Sequence, residues 1–320
     1  MLEFHHFIRR YFIPSLRRRL RRGSLSQPLR AVSLSSFAGI GVTLTFLIFL
    51  LSGCHTIRPI GQAASSMDAN AVTAHREAMV ERGISVPPLD LLASLLALPT
   101  KLVLWDWHYA NHHISPETEQ LLRDYINRNK IYDVKFRLNQ WAPHDEMVRL
   151  FKNGGVGLPY RIIAIPFTLL YSSTGRLLGG ILLSDYYDPF SHTVHIFSDD
   201  SAIVLHEAGH AKDFQFHSWR GTYALARMLP GFNVFQESVA TDEALDYLKI
   251  TDHRKEAVRA YKILYPAYAT YVGSYLPAYP IGYLGAILGG HIYGRMEARN
   301  LEREFEAKDY GKEFRRTTSS

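Results

Sequence analysis

The amino-acid sequence predicts an α+β fold in which helices, a small sheet and further helices follow one another along the chain. Three strand-like runs predict the sheet: Tyr132–Trp141 alternates apolar and polar residues, Tyr160–Tyr171 is mostly apolar, and His192–Phe197 is a third, shorter run. Helical patterns lie on both sides of these runs. With 320 residues, 47% of them apolar, the chain can bury the core of one large domain or of two small ones.

The positive charge of the chain is concentrated at its N-terminus, where residues 1–30 form a basic segment. Residues 1–53 contain eight arginines and a single acidic residue, Glu3, so their net charge of +7 exceeds the +6 of the whole chain. The rest of the chain therefore has no basic excess, and we expect no nucleic-acid partner.

A hydrophobic segment, residues 31–53, follows the basic one and predicts attachment to a membrane. Ala31–Leu51 has 21 residues without a charge, which is long enough to cross a bilayer. It leads into Leu51-Ser52-Gly53-Cys54, which resembles the lipobox of bacterial lipoproteins and implies signal-peptide cleavage and a lipid on Cys54, the only cysteine. Either this lipid or an uncleaved transmembrane helix would anchor the protein. Because the arginines come first, we expect the body to face the periplasm or the exterior of a bacterial cell envelope.

The remaining residues divide into a tether and one folded domain. Residues 54–70 are small and polar, which is typical of a tether. Residues 71–320 are predicted as the domain, with the sheet in 71–217 and a mainly helical half in 218–320. The helices predicted before residue 192 are Ala71–Arg82, a buried helix at Leu89–Trp107 (or one lying in the bilayer interface), Pro116–Asn129 with Ser115 as its N-cap, and Asp145–Lys152.

An H-E-x-x-H motif, formed by His206, Glu207 and His210, lies in the stretch Asp199–His217. The side-chain oxygens of Ser198–Ser201 precede an apolar run and predict the start of a helix there. On a helix the two imidazoles emerge one turn apart on the same face, so they can bind one Zn²⁺. Glu207 then stands beside the open position where a water would bind. The motif therefore predicts a catalytic zinc site.

A third protein ligand is expected, because catalytic zinc usually has three protein ligands and a water. The first carboxylate-rich helix after the motif is predicted at Asn233–Ile250, with Asn233 in a capping-box-like start. Glu237 lies in its first turns, and small residues on the same face would allow a close approach to the histidine helix. We therefore predict Glu237 as the third ligand, with Glu243 as the alternative.

This set of residues resembles the zincin metallopeptidases, in particular the gluzincin (thermolysin-like) group. The resemblance extends from residue 192 to residue 250. It implies that His206, His210 and Glu237 bind zinc. It also implies that Glu207 is the general base and that an edge strand, here His192–Phe197, aligns a peptide substrate.

Two aspartates are candidates for orienting the ligand imidazoles, and a hydrogen-bond donor to the oxyanion is also needed. Asp213 lies on the same helical face as the two histidines and could accept a hydrogen bond from one of them. Many gluzincins have an aspartate four residues after the third ligand; here Thr241 occupies that position and Asp242 follows it. The candidate donors to the oxyanion are Tyr275, Tyr283 and His291.

The C-terminal region predicts a helical hairpin that is buried or adsorbed to a membrane. Ile263–Gly290 has no charge, and small residues recur at every fourth position from Gly282 to Gly294, which allows another helix to approach closely. Arg295–Arg316 is highly charged and predicts a solvated helix.

These features predict a membrane-anchored, zinc-dependent endopeptidase, a hydrolase of proteins or peptides in the cell envelope. A non-catalytic lipoprotein of zincin fold, acting as a chaperone or scaffold, is the alternative.

Overall fold

In the computed structural model, which describes residues 79–182, 185–276 and 280–318, ten helices accompany a four-stranded sheet. This is the predicted α+β class. The basic segment, the hydrophobic segment, Cys54, the tether and residues 71–78 lie outside the described residues.

The sheet consists of four strands, β1 (Val80–Arg82), β2 (Lys135–Leu138), β3 (Tyr186–Asp188) and β4 (Thr193–Ile196). Its topology is mixed, with strand order β1-β2-β4-β3. Strands β1, β2 and β4 are parallel, and β3 is antiparallel to β4. The central strands β2 and β4 are almost entirely buried, including the polar side chains of Arg137 and His195.

Two predictions about this sheet are wrong. The end of the predicted helix Ala71–Arg82 is strand β1, whose Val80 pairs with Phe136 of β2. His192–Phe197 does contain strand β4, but this strand lies between β2 and β3, so it is not an edge. The antiparallel edge strand is β3, which is too short for its three residues to show a period in the sequence.

The helices surround the sheet and are numbered in chain order. The helices before β3 are α1 (Pro87–Leu96), α2 (Leu98–Leu104), α3 (Pro116–Asn129), α4 (Pro143–Lys152) and α5 (Leu158–Leu182). The helices after β4 are α6 (Ser201–Gln215), α7 (Arg220–Ala226), α8 (Phe232–Ile250), α9 (Arg254–Gly273) and α10 (Ile281–Thr318). The predicted helices Pro116–Asn129 and Asp145–Lys152 are confirmed, and Ser115 caps α3 by accepting a hydrogen bond from the Thr118 amide.

The predicted strand Tyr160–Tyr171 is instead part of the 25-residue helix α5, with Pro166 in its interior. A continuous apolar run has no period that distinguishes a buried strand from a helix. The packing of this segment decides that it forms a helix, because α5 lies against α1 and α4. The sheet therefore has one strand fewer from this region than the sequence predicts.

Leu89–Trp107, predicted as one buried helix, forms two helices that are not buried. α1 and α2 meet at a bend of 55° around Ala97. Only part of each helix faces the core, and Leu95 and Leu102 are more than half exposed. A run with so few polar residues does not show which of its sides packs on the core.

Helix α6 occupies the centre of the fold. Asp200 caps its N-terminus by accepting hydrogen bonds from the amides of Ala202 and Ile203. The helix contacts β3, β4, α3, α8 and α9, so nearly all of its residues are buried. This packing fixes the position of the H-E-x-x-H motif from several sides.

The predicted C-terminal hairpin is confirmed by helices α9 and α10, which pack along each other. A Cβ atom on Gly290 would lie 2.8 Å from the Tyr265 carbonyl oxygen, and one on Gly294 would lie 2.3 Å from that of Tyr261. These glycines therefore allow the two backbones to approach closely, as their spacing in the sequence predicts.

Candidate metal centre

Helices α6 and α8 bring the histidine motif and Glu237 together. A Cβ atom on Gly209 would lie 3.2 Å from the carbonyl oxygen of Ala240, so the close contact of the two helices depends on small residues. Helix α8 begins at Phe232 after Gly231, and Asn233 does not cap it, contrary to the prediction. Because this helix lies against α6, the side chain of Glu237 points at the histidine pair.

The side chains of His206, His210 and Glu237 converge on one point. The imidazole centroids lie 4.7 Å apart. The two carboxylate oxygens of Glu237 lie 3.0 Å from His206 Nε2 and 3.4 Å from His210 Nε2. One ligand atom from each residue lies within 4.8 Å of the others. Bonds of about 2.0–2.1 Å at tetrahedral angles separate zinc ligands by about 3.3 Å, so this donor set fits a zinc ion.

Glu207 is buried beside this cluster. Burial raises the pKa of its carboxyl group well above the usual value, and the charges of Glu237 and Asp185 raise it further. The Tyr187 backbone amide, on the edge strand β3, donates a hydrogen bond to Glu207 and partly offsets this increase. A carboxyl group with a raised pKa is a better proton acceptor, which suits a general base.

Glu237 has the opposite protonation behaviour. Burial by itself would raise the pKa of its carboxyl group, but Arg227 and the two histidines hold that pKa well below the usual value. Arg227 Nη2 donates a hydrogen bond to Glu237 Oε1. The two neighbouring glutamates therefore differ in charge preference: Glu237 is held ionised, as a ligand must be, and Glu207 binds a proton readily.

The side chain beside the outer nitrogen of His206 is Thr241. Its Oγ1 lies 3.4 Å from Nδ1 of His206, while Nε2 of the same ring faces Glu237. This is the position at which many gluzincins have an aspartate. The predicted carboxylate, Asp242, is one residue further along the helix, and its charge acts on Tyr265 and Tyr268 of α9.

Three other candidate residues contact side chains or backbone groups other than those of the three predicted ligands. Asp213 accepts a hydrogen bond from the Tyr223 hydroxyl and lies 3.5 Å from His217. Glu243, the alternative ligand, is paired with Lys212. His291 donates from Nε2 to the Val103 carbonyl oxygen and stacks on Trp105, a residue that follows helix α2.

Arg227 and Tyr271 are neighbours of the site that sequence reasoning did not find. Arg227 follows helix α7, and its guanidinium carbon lies 5.9 Å from the ring centre of Tyr271 on α9. The charge of Glu237 and then burial raise the pKa of the Tyr271 hydroxyl, and the charge of Glu207 adds to this. Neither residue belongs to a motif, so only the packing of α7 and α9 against α8 reveals them.

Comparisons with known protein families, with curated proteins and with solved structures found no match to this chain. The resemblance to gluzincins therefore depends on the residues and their geometry.

Proposed function

We propose that this protein is a membrane-anchored, zinc-dependent endopeptidase that hydrolyses peptide bonds in proteins of the cell envelope. The observation that supports this proposal is the convergence of His206, His210 and Glu237, with Glu207 beside them. Three ligands leave a tetrahedral ion one open position, which is the arrangement of catalytic zinc rather than structural zinc.

His206 and His210 would hold the ion through their Nε2 atoms, and Glu237 through its carboxylate. When bound there, Zn²⁺ lowers the pKa of a water and polarises a carbonyl group. Thr241 keeps the His206 ring oriented by accepting from Nδ1–H. Glu207 accepts the proton of the attacking water and then donates it to the departing amine.

The Tyr271 hydroxyl and the Arg227 guanidinium are hydrogen-bond donors beside this chemistry. Both lie within the electrostatic reach of Glu207 and Glu237. In this proposal they take the oxyanion-stabilising role for which the sequence offered Tyr275, Tyr283 and His291 as candidates.

Strand β3 would hold the substrate. It is an edge strand, and its Tyr187 amide donates to the carboxyl group of Glu207. An extended peptide that lies along this edge would run past the general base.

The decisive test compares the full chain with Glu207→Gln. Both proteins are expected to bind about one zinc per chain, because Glu207 is not one of the three ligands. Cleavage of an unfolded protein substrate should fall by at least a hundredfold in the variant, because the water loses its proton acceptor. Zinc content by elemental analysis and cleavage by gel assay measure the two effects.

The same experiment separates the peptidase from the scaffold alternative. A wild-type chain that binds zinc, cleaves nothing and supports the same cellular phenotype as Glu207→Gln would contradict the peptidase. A chain without stoichiometric zinc would contradict the peptidase but not the scaffold.

A further inference from the structure

Helices α1 and α2 and the first half of α10 expose large apolar side chains to the outside. Six of these, which we call the apolar face, are Leu91, Leu95, Leu102, Trp105, Leu288 and Ile292; each has at least 55% of its surface exposed. Single exposed leucines are ordinary, but adjacent helices with the same property are rare in proteins that meet only water.

The apolar face is continuous between α2 and α10. Trp105, at the end of α2, stacks on His291 with ring centres 4.2 Å apart. Nε2 of the same imidazole donates to the Val103 carbonyl oxygen at 2.7 Å. Because His291 lies between Leu288 and Ile292 on α10, these contacts place the exposed Trp105 beside this part of α10.

The few charged side chains of α1 and α2 point inward. Asp90 is buried and forms a salt bridge of 2.7 Å with Arg176 of α5. Lys101 is 6% exposed and donates to Ser94 at 2.6 Å. Helices on a water-exposed surface usually have the opposite arrangement, with apolar residues inside and charges outside. An apolar exterior with paired, inward charges is typical of contact with hydrocarbon.

The exposed stripe of α10 changes character at a definite level. Leu288, Ile292 and Met296 are apolar and exposed, and the same stripe continues with the exposed arginines Arg299 and Arg303. At the boundary, the Arg295 guanidinium lies 4.4 Å from the centre of the Trp105 ring. Tryptophan and arginine at the edge of an apolar band are the residues that favour the interface between hydrocarbon and lipid headgroups.

We propose that the apolar face docks on a phospholipid bilayer, with Trp105 and Arg295 at the headgroup level. Among the described residues no single helix meets the length and hydropathy expected of a membrane span, and only α1 and α2 together do so, with their 55° bend. In this proposal the face lies in one leaflet, as interfacial helices do.

The sequence before the described residues supports a bilayer as the occupant. The uncharged stretch Ala31–Leu51, the predicted anchor, ends 28 residues before Met79. A chain of this length spans at most about 100 Å, so the anchor keeps the domain within reach of the bilayer. The proposal uses this predicted attachment, but it does not depend on the metal centre.

The test uses the full chain with Cys54→Ser, which removes the only native cysteine. A nitroxide label is attached at Ile292→Cys or, as the matched control, at Arg303→Cys. The two positions lie on the same stripe of α10, 11 residues or about 16 Å apart along the axis. Each protein is reconstituted into vesicles of phosphatidylcholine and phosphatidylglycerol. Relaxation of the label by oxygen, which concentrates in hydrocarbon, is compared with relaxation by a water-soluble nickel chelate.

In vesicles we expect the label at position 292 to respond strongly to oxygen and only weakly to nickel. The label at position 303 should be accessible to nickel in the same vesicles. Equal access of nickel to both labels in vesicles would overturn the proposal. Protection of position 292 from both reagents would also overturn it, because another protein surface, such as a second copy, would then cover the face. Circular dichroism of each labelled protein verifies the fold.

Discussion

Glu237 and Glu243 lie on the same helix, and their different partners give them different roles. Glu237 faces His206 and His210 with Arg227 beside it. Glu243 accepts hydrogen bonds from Lys212 and the Tyr125 hydroxyl. Lys212 is almost fully buried, so Glu243 neutralises a charge inside the core. The sequence predicted Glu237 as the third zinc ligand, with Glu243 as the alternative. The contacts of the two side chains favour Glu237.

Glu237→Gln and Glu243→Gln form a matched pair of variants. The zinc affinity of Glu237→Gln is expected to be more than a hundredfold lower than that of the wild type, because a neutral amide replaces an anionic ligand. The second should keep wild-type zinc affinity but lose about 3 kcal/mol of stability, because Lys212 loses its buried counter-charge. Competition with a fluorescent zinc chelator and unfolding by urea measure the two quantities. Loss of zinc in Glu243→Gln at conditions where it is folded would contradict the assignment.

Thr241 and Asp242 are neighbours in sequence that face different parts of the protein. Thr241→Val removes the hydroxyl next to His206 Nδ1 and is expected to lower zinc affinity by about tenfold. Asp242→Asn should leave that affinity unchanged, because its carboxyl group acts on the tyrosines of α9. The same chelator competition checks both variants. A larger loss of zinc affinity in Asp242→Asn than in Thr241→Val would contradict this assignment. The residue that orients His206 would then be Asp242, the aspartate that the gluzincin resemblance suggests.

At the scale of the elements, the site and the hairpin both depend on close contacts between helix backbones. Gly209 allows α6 to approach α8, and Gly290 and Gly294 allow α10 to approach α9. Where two helices meet at a glycine, a larger residue must push the backbones apart. The relative positions of the three metal ligands therefore depend on residues that take no part in the chemistry.

Gly294→Ala and Gly289→Ala test the packing of α10. A Cβ atom at position 294 would lie 2.3 Å from the Tyr261 carbonyl oxygen, whereas one at position 289 would have nothing within 4 Å. We expect Gly294→Ala to destabilise the protein by about 2 kcal/mol through overpacking. Gly289→Ala should stabilise it by up to about 1 kcal/mol, because alanine favours helix. Urea unfolding measures both, and equal effects would contradict the close contact.

At the scale of the whole molecule, a buried ionic network connects the sheet to α4. Arg137 on β2 and Glu146 on α4 form a buried salt bridge, and His195 of β4 lies 3.6 Å from Glu146. Burial opposes the charge of Glu146, but His195 and Arg137 together lower the pKa of its carboxyl group from 4.5 to about 2. The ionised form therefore stabilises the folded state.

The lowered pKa of the Glu146 carboxyl group predicts that the folded state loses stability in acid. The contribution of Glu146 is complete above pH 4.5, its pKa when unfolded, and is lost as the pH falls toward about 2. The loss amounts to about 3 kcal/mol. Glu146→Gln should be less stable than the wild type at neutral pH. Between pH 4.5 and about pH 2 it should lose less stability than the wild type does. Glu304→Gln, at an exposed position of α10, is the control and should follow the wild-type profile. Urea midpoints across the pH range measure this, and identical profiles for all three proteins would contradict it.

The sequence by itself determined the features that depend on local spacing. The four-residue separation of His206 and His210, the acidic cap before their helix and the serine cap of α3 are confirmed in the structure as helix positions. The recurrence of small residues in α10 likewise predicted a close helix contact. Each of these signals involves residues within a few turns of one another, where helix geometry alone fixes the relation.

Only the tertiary structure decided the features that depend on distant contacts. It turned Tyr160–Tyr171 into a helix and made β3 the edge strand. It also placed Arg227 against Glu237, a pair ten residues apart in the sequence. The physical reason is the same in each case: an apolar run or a charged side chain acquires its role from the surface it packs against, and that surface comes from elsewhere in the chain.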